Sequence, residues 1–208
     1  MKQPLFRSIV LITAFIGATF VAESQITPTR PTPTVIKPLT QADKLARAKN
    51  ILKKDTKTAA FAAAATLEPY EATWSANKPQ GNGVMFFRHS TYWEPNFGAS
   101  FDSGSSTGGT AGIYWDPPSA GTYIFDFAIQ APQSSPTTKT FLLETPLKDK
   151  TTGKGGLKLV QQYNYDNHLI FVVQEIPKNL GADNSFSLYA KDNFQWTFLS
   201  LTITKLKI

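Results

Sequence analysis

The sequence predicts an all-β fold, a two-sheet antiparallel jelly-roll sandwich, preceded by a signal peptide, a Pro/Thr-rich linker and a short basic helix. Three observations predict it. Downstream of Leu67 the helical period disappears and runs of β-branched and aromatic residues take over. Clusters of Gly, Pro, Asn and Asp separate those runs. In the clearest run, after Pro118 and Gly121, Tyr123, Phe125 and Phe127 point one way while Thr122, Ile124 and Asp126 point the other.

The N-terminal elements come first. Met1 to Arg7 carries Lys2 and Arg7, Ser8 to Val21 is mainly apolar, and Ala22-Glu23-Ser24 offers small residues for cleavage. Residues 1–24 therefore read as a secretory signal peptide. The apolar run is about 14 residues, short of the roughly 20 that span a bilayer, so cleavage and no stable membrane insertion are expected. The expected location is extracellular or periplasmic. Residues 25–39, centred on T-P-T-R-P-T-P-T, form a Pro/Thr-rich linker that favours an extended spacer over a packed core.

Residues 40–66 read as a basic, Ala/Lys-rich helix. Thr40-Gln41-Ala42-Asp43 resembles a capping box with Asp for Glu, and no Gly or Pro follows until Pro69. Leu45, Ala48 and Leu52 share one face. This helix is expected either to form a short stalk between copies of the chain, or to pack on the domain or fray. Much of the net charge of +6 lies in residues 37–57, which hold seven Lys and Arg against two Asp. A solvated helix face explains that bias; contact with an acidic surface is the alternative.

The chain has no cysteine. That excludes disulfides, thiolate metal sites, a cysteine nucleophile and lipid attachment to cysteine, so residues 67–208 must rest on their own core. The expected strands are 70–75, 84–88, 111–115, 122–130, 139–145, 157–163, 168–174, 185–190 and 195–206. Runs this short without helices between them close as antiparallel sheets packed face to face.

The order of motifs adds a resemblance. Ala72-Thr73-Trp74-Ser75-Ala76 opens the domain, then come Val84-Met85-Phe86-Phe87, Phe101-Asp102 and Thr107-Gly108. Gly121-Thr122-Tyr123-Ile124-Phe125 follows a Pro-rich turn, Leu180-Gly181-Ala182-Asp183 enters a late strand, and an aromatic strand ends the chain. This succession, over about residues 70–208, resembles the C1q and tumour-necrosis-factor-like jelly rolls. It departs in the Gly/Ser stretch 103–109, in Ala182 between Gly181 and Asp183, in the closing strand and in lacking a collagen-like stalk. The resemblance implies a compact domain, usually a homotrimer, that binds partners and performs no chemistry.

Catalytic patterns occur only by letter. Gly104-Ser105-Ser106-Thr107-Gly108 fits G-x-S-x-G without the strand–turn–helix a nucleophile elbow needs, and Ser75-Ala76-Asn77-Lys78 fits S-x-x-K but runs into Pro79 and Gly81. His89 and His168 are the imidazoles; Asp166 is close to His168 in sequence, but Asp166-Asn167 reads more simply as a hairpin turn. No metalloprotease, EF-hand or phosphate-loop motif is present. Asp102, Asp116 or Asp183 could hold calcium in a loop. The chain is thus expected to be no enzyme and to need no cofactor.

The aromatics offer ligand sites instead. Tyr92-Trp93-Glu94-Pro95 does not alternate and reads as a loop, either a plug over the sandwich end or a platform for a sugar ring or protein. Tyr163 and Tyr165 form a second candidate patch. The sequence thus points to a secreted, non-catalytic binding or structural module, C1q-like and trimeric, acting in adhesion, recognition or surface assembly. The alternative is a carbohydrate-binding module with an aromatic loop platform. Expected partners are copies of itself and an extracellular protein or glycan; nucleic acid is not among them.

Overall fold

The computed structural model describes residues 36–54, 56, 58–75, 83–94, 98–103, 109–131, 139–149, 152–164, 166–191 and 194–208. The expected signal peptide, linker residues 25–35, the G-x-S-x-G stretch 104–108 and Tyr165 lie outside them. The described elements are helix α1 (Gln41–Lys54), the single turn α2 (Ala59–Ala62) and strands β1 (Thr66–Ser75), β2 (Gly83–Arg88), β3 (Ser90–Glu94), β4 (Gly98–Ser103), β5 (Thr110–Trp115), β6 (Gly121–Gln130), β7 (Lys139–Glu144), β8 (Lys158–Tyr163), β9 (His168–Ile176), β10 (Ser185–Ala190) and β11 (Phe194–Lys207).

The strands make two antiparallel sheets. Sheet A runs β3-β4-β11-β6-β9, with β1 also paired to the C-terminal part of β11; sheet B runs β2-β5-β10-β7-β8. The pairs β1·β11, β5·β10, β6·β9 and β7·β8 nest inside one another, like a long hairpin folded over on itself. That wrap is the jelly roll the sequence predicts. The core lies between the sheets and is aromatic. Trp115 of β5 sits edge-on to Tyr123, Phe125 and Phe186, at ring-centroid distances of 4.9, 5.7 and 5.8 Å. The Tyr123 hydroxyl donates to the Ser119 carbonyl at 2.6 Å, tying the Pro-rich turn to the core.

Sheet A is covered on its outer face too. Ala48 and Leu52 of α1, with Ala62 and Ala65, bury Ile124, Ile170, Val172 and Leu206 in a second apolar cluster. Alanines at the contact let helix and sheet backbones approach closely. Residues 122–129 of β6 are therefore all buried, although their two faces point to different cores. Of the two roles expected for the basic helix, packing on the domain is the one observed.

The capping box forms at its start. Asp43 N–H donates to Thr40 Oγ1 at 3.1 Å, and the Thr40 N–H and hydroxyl donate to Asp43 Oδ2 at 3.3 and 2.6 Å. The Thr40 hydrogen bonds, aided by Arg47 and Lys37, hold the Asp43 carboxyl below its usual value. The cations behind it turn onto their own domain. Lys44 Nζ meets Glu71 at 2.8 Å, Arg47 meets Asp166 at 2.6 Å, and Lys49 Nζ donates to the Ala63 carbonyl at 3.1 Å. Part of the charge bias of the segment is therefore internal docking, while Lys53 and Lys54 stay exposed.

Two local expectations need correction. The Tyr92–Trp93 segment is not a loop but the edge strand β3, paired to β4; a register shift between Ser90 and Tyr92 throws its alternation out of phase. Asp166–Asn167 does not close a hairpin, because β8 belongs to sheet B and β9 to sheet A. It is a crossing between layers, with Asn167 at φ 65°, a left-handed conformation asparagine tolerates.

Candidate functional site

The helix-covered face leaves the outer face of sheet B as the open wall of the sandwich. Strand register sorts its side chains into rows. One row is Val84, Tyr114 and Ser185; the next is Phe86, Gly112, Ser187, Glu144 and Lys158; the third is Arg88, Thr110, Tyr189, Leu142 and Val160. The intervening residues Met85, Phe87, Ala111, Ile113, Phe186, Leu188 and Leu143 belong to or pack on the core. Strict alternation thus gives sheet B one face for folding and one for solvent.

That outer face is apolar and aromatic beyond what solvent contact requires. Val84 is 59% exposed, Val160 56% and Tyr114 40%. Gly112 shapes the centre: a Cβ there would stand 2.2 Å from Phe86 Cζ, so only glycine lets the Phe86 ring lie down across the strand. Phe86 then meets Tyr114 at 4.6 Å between centroids, tilted by 38°. The Arg88 guanidinium lies 5.0 Å from the Phe86 centroid, and its Nη2 donates to the Tyr114 hydroxyl at 3.3 Å. Farther across, Lys158 Nζ sits 5.9 Å from the Tyr189 centroid and 3.8 Å from Glu144. Its hydrogen bond to Tyr189, that residue's charge and Glu144 raise its pKa.

A sheet face carrying aromatic rings beside polar and cationic groups can stack on the apolar faces of a ligand while hydrogen-bonding its edges. Tyr114 and Tyr189 lie on neighbouring strands four residues out of step, which separates their Cα atoms by about 14 Å. The surface therefore suits an extended ligand better than a compact one.

The polar cluster under the N-terminal segment has a different character. A cavity of about 130 Å³ is lined by Lys44, Glu71, Thr73, Asp126, His168 and Thr202, with Ile36 and Pro38 above. His168 does not turn to its sequence neighbour Asp166, which instead accepts its backbone N–H at 3.1 Å. Its ring stands between Asp126 Oδ1, 2.8 Å from Nδ1, and the Lys37 carbonyl, 3.0 Å from Nε2. Both partners are acceptors, so the arrangement calls for a proton on each nitrogen. Burial opposes the charged ring, as does Arg47; the Asp126 hydrogen bond and charge, with the Lys37 carbonyl, outweigh them and raise the pKa. Neither nitrogen remains for taking a proton from a substrate; His168 straps the N-terminal segment to sheet A.

The sequence candidates fall in three places. Tyr163 is only 2% exposed, its hydroxyl hydrogen-bonding the Ile129 carbonyl and Asn167 Oδ1 at 3.3 and 3.1 Å, so it belongs to the core rather than to a surface patch. Tyr92 and Trp93 lie on β3 at the edge of sheet A, away from the open face. Asp116 accepts from Asn184 Nδ2 at 3.1 Å, and among the described residues no cluster of three His, Asp or Glu is placed to hold a metal ion. Nor, among them, is any helix long and apolar enough to cross a membrane. The residues missed are Phe86, Arg88, Tyr114 and Tyr189. Their one signal is phase: each is out of step with the core residues beside it.

Fold and site together define a jelly-roll sandwich with one helix-covered wall and one open aromatic wall. No protein-family model matches the chain, and no curated protein does. Solved structures give weak similarities. One is to the CBM22-1–GH10 modules of a Clostridium thermocellum xylanase complexed with xylohexaose, 14% identical over 60% of this chain and 25% of that one, with a TM-score of 0.36. Another is to a variant of a family 29 carbohydrate-binding module, 9% identical over 65% and 92%, TM-score 0.35. A third is to the C-terminal CBM6 module of a Zobellia galactanivorans laminarinase, 12% identical over 59% and 100%, TM-score 0.30. Such values match no residue of this site to one of theirs.

Proposed function

We propose that the chain is an extracellular, non-catalytic glycan-binding module whose ligand lies across the outer face of sheet B. The jelly-roll wrap alone does not choose this reading. It serves lectin domains, and equally the C1q and tumour-necrosis-factor-like domains that the sequence resembles. What supports glycan over protein assembly is the surface itself: Tyr114 and Tyr189 stand on one sheet face, with hydroxyl and charged groups beside them. The homotrimer implied by the resemblance has no support among the described residues, and this face needs none.

The test is titration calorimetry of the full chain against a panel of soluble polysaccharides, neutral and acidic. Tyr114→Ala and Tyr189→Ala each weaken binding about tenfold, the loss typical of a central aromatic anchor, and leave the melting temperature nearly unchanged. Trp93→Ala tests the rival platform on β3. If it abolishes binding while the two tyrosine variants bind normally, the site lies on the other sheet. If no polysaccharide in the panel binds, the glycan reading fails.

A further inference from the structure

We propose that the open face selects an anionic polysaccharide, one carrying uronate carboxylates, and that Arg88 grips the carboxylate. The inference rests on the glycan-binding reading and deepens it.

Arg88 is exposed, yet held in place. Phe86 supports its guanidinium from below, the Tyr114 hydroxyl takes one of its N–H groups, and Gly112 keeps Phe86 flat enough to serve as the shelf. Among the described residues no carboxylate pairs with it. A guanidinium has five N–H donors in a rigid fork, so a pair remains for a carboxylate in the two-pronged geometry lysine cannot supply. Holding the side chain beforehand also reduces the ordering that binding must otherwise impose.

Exposed Lys191 follows β10 at the Arg88 end of the sheet, while Lys158 lies on β8, the opposite edge strand from β2. Two carboxylates lie on this face or at its far end, and neither reaches Arg88. Glu144 is drawn to Lys158, and Asp116 lies one row beyond Tyr114, which puts it about 20 Å along the strands from Arg88. Arg88 is thus a cation held in place by Phe86 and Tyr114 with no carboxylate beside it among the described residues. A neutral glycan would leave that cation unused. A polyuronate would set a carboxylate on Arg88 while its rings pass over Tyr114 and Tyr189.

Calorimetry of the full chain at about physiological salt, where exposed charges are screened beyond roughly 8 Å, separates the possibilities. The probes are polygalacturonate, alginate and hyaluronan, the methyl ester of the first, neutral cello- and xylo-oligosaccharides, and dextran sulfate. At least one uronate polymer binds, and esterifying polygalacturonate weakens its binding about tenfold or more if it is the binder. Arg88→Lys, which keeps the charge but not the fork, weakens uronate binding about tenfold without moving the melting temperature. Neutral oligosaccharides binding as tightly as uronates would overturn the inference and leave the glycan reading standing; no binding to any probe would overturn both. Dextran sulfate binding as tightly as the uronates, with Arg88→Lys indistinguishable from wild type, would mean unselective charge attraction and also overturn it.

Discussion

Replacing His168 by leucine should destabilise the protein more than any surface change. Asp126 is 4% exposed and His168 8%, and the two form a buried ion pair. Removing the imidazole leaves a carboxylate on β6 and the Lys37 carbonyl without their partner. Breaking a buried pair from one side costs about 3–5 kcal/mol. The adjoining cavity of about 130 Å³ is polar enough to admit water to the orphaned carboxylate, which favours the lower end, about 3 kcal/mol. For a domain of this size that is a fall of about 6–12 °C in melting temperature. The Asp126→Leu/His168→Leu double variant should recover most of the loss, because Ile124, Ile170 and Val172 already make that wall apolar. Urea unfolding with unchanged m-values reads all three. A loss under about 1 kcal/mol for the single variant, or a double variant as weak as the two singles added, would refute the buried-pair account. The pH dependence checks it independently. The histidine pKa is raised on folding, so its contribution is complete below the unfolded value of about 6.5 and is lost as pH rises through the folded one. Wild-type stability should decline on that alkaline limb, and the double variant should lack the decline.

Glu71 predicts an acid limb of opposite sign. Burial raises its pKa, but hydrogen bonds from Lys44, Thr204 and Gln41 with the Lys44 charge lower it further. Its contribution is present above the unfolded carboxylate range and lost as pH falls through the folded value, so Lys44→Met should flatten stability measured in acid. Trp115→Ala should cost about 3–5 kcal/mol in urea unfolding, since the indole meets aromatic rings from β5's own layer and the facing one. Gly112→Ala should lift Phe86 and press on the Phe186 carbonyl, lowering stability by about 1–3 kcal/mol and weakening glycan binding in calorimetry.

How much of this was legible in the sequence depended on whether one face or two were buried. β6 announced itself, because Tyr123, Phe125 and Phe127 alternate with smaller or polar residues. That Ile124 and Asp126 would also be buried could not be read from β6, since the cover comes from α1, about 75 residues earlier. The capping box was readable because its hydrogen bonds are local. β3 was hidden by its register shift, and β4 by the short polar run Ala99-Ser100, whose partner β11 lies almost 100 residues away. The open face was hidden for the converse reason. Tyr114 stands between Ile113 and Trp115, and a run of three apolar residues looks buried throughout. Tyr163 misled because Gln161 interrupts the inward series of Leu159, Gln161 and Tyr163.

Strand β11 touches β1, β4 and β6, so the described strand that is synthesised after all the others is also the hub of sheet A. Until residue 194 and its successors have emerged, three earlier strands lack the neighbour that completes them. Closure joins Thr66 to Lys207, a contact between strands 141 residues apart in sequence. Assembly should consequently be late and all-or-none, with relaxation times of milliseconds to seconds rather than microseconds. A polypeptide interrupted before β11 would be left with unpaired strand edges rather than a smaller working domain.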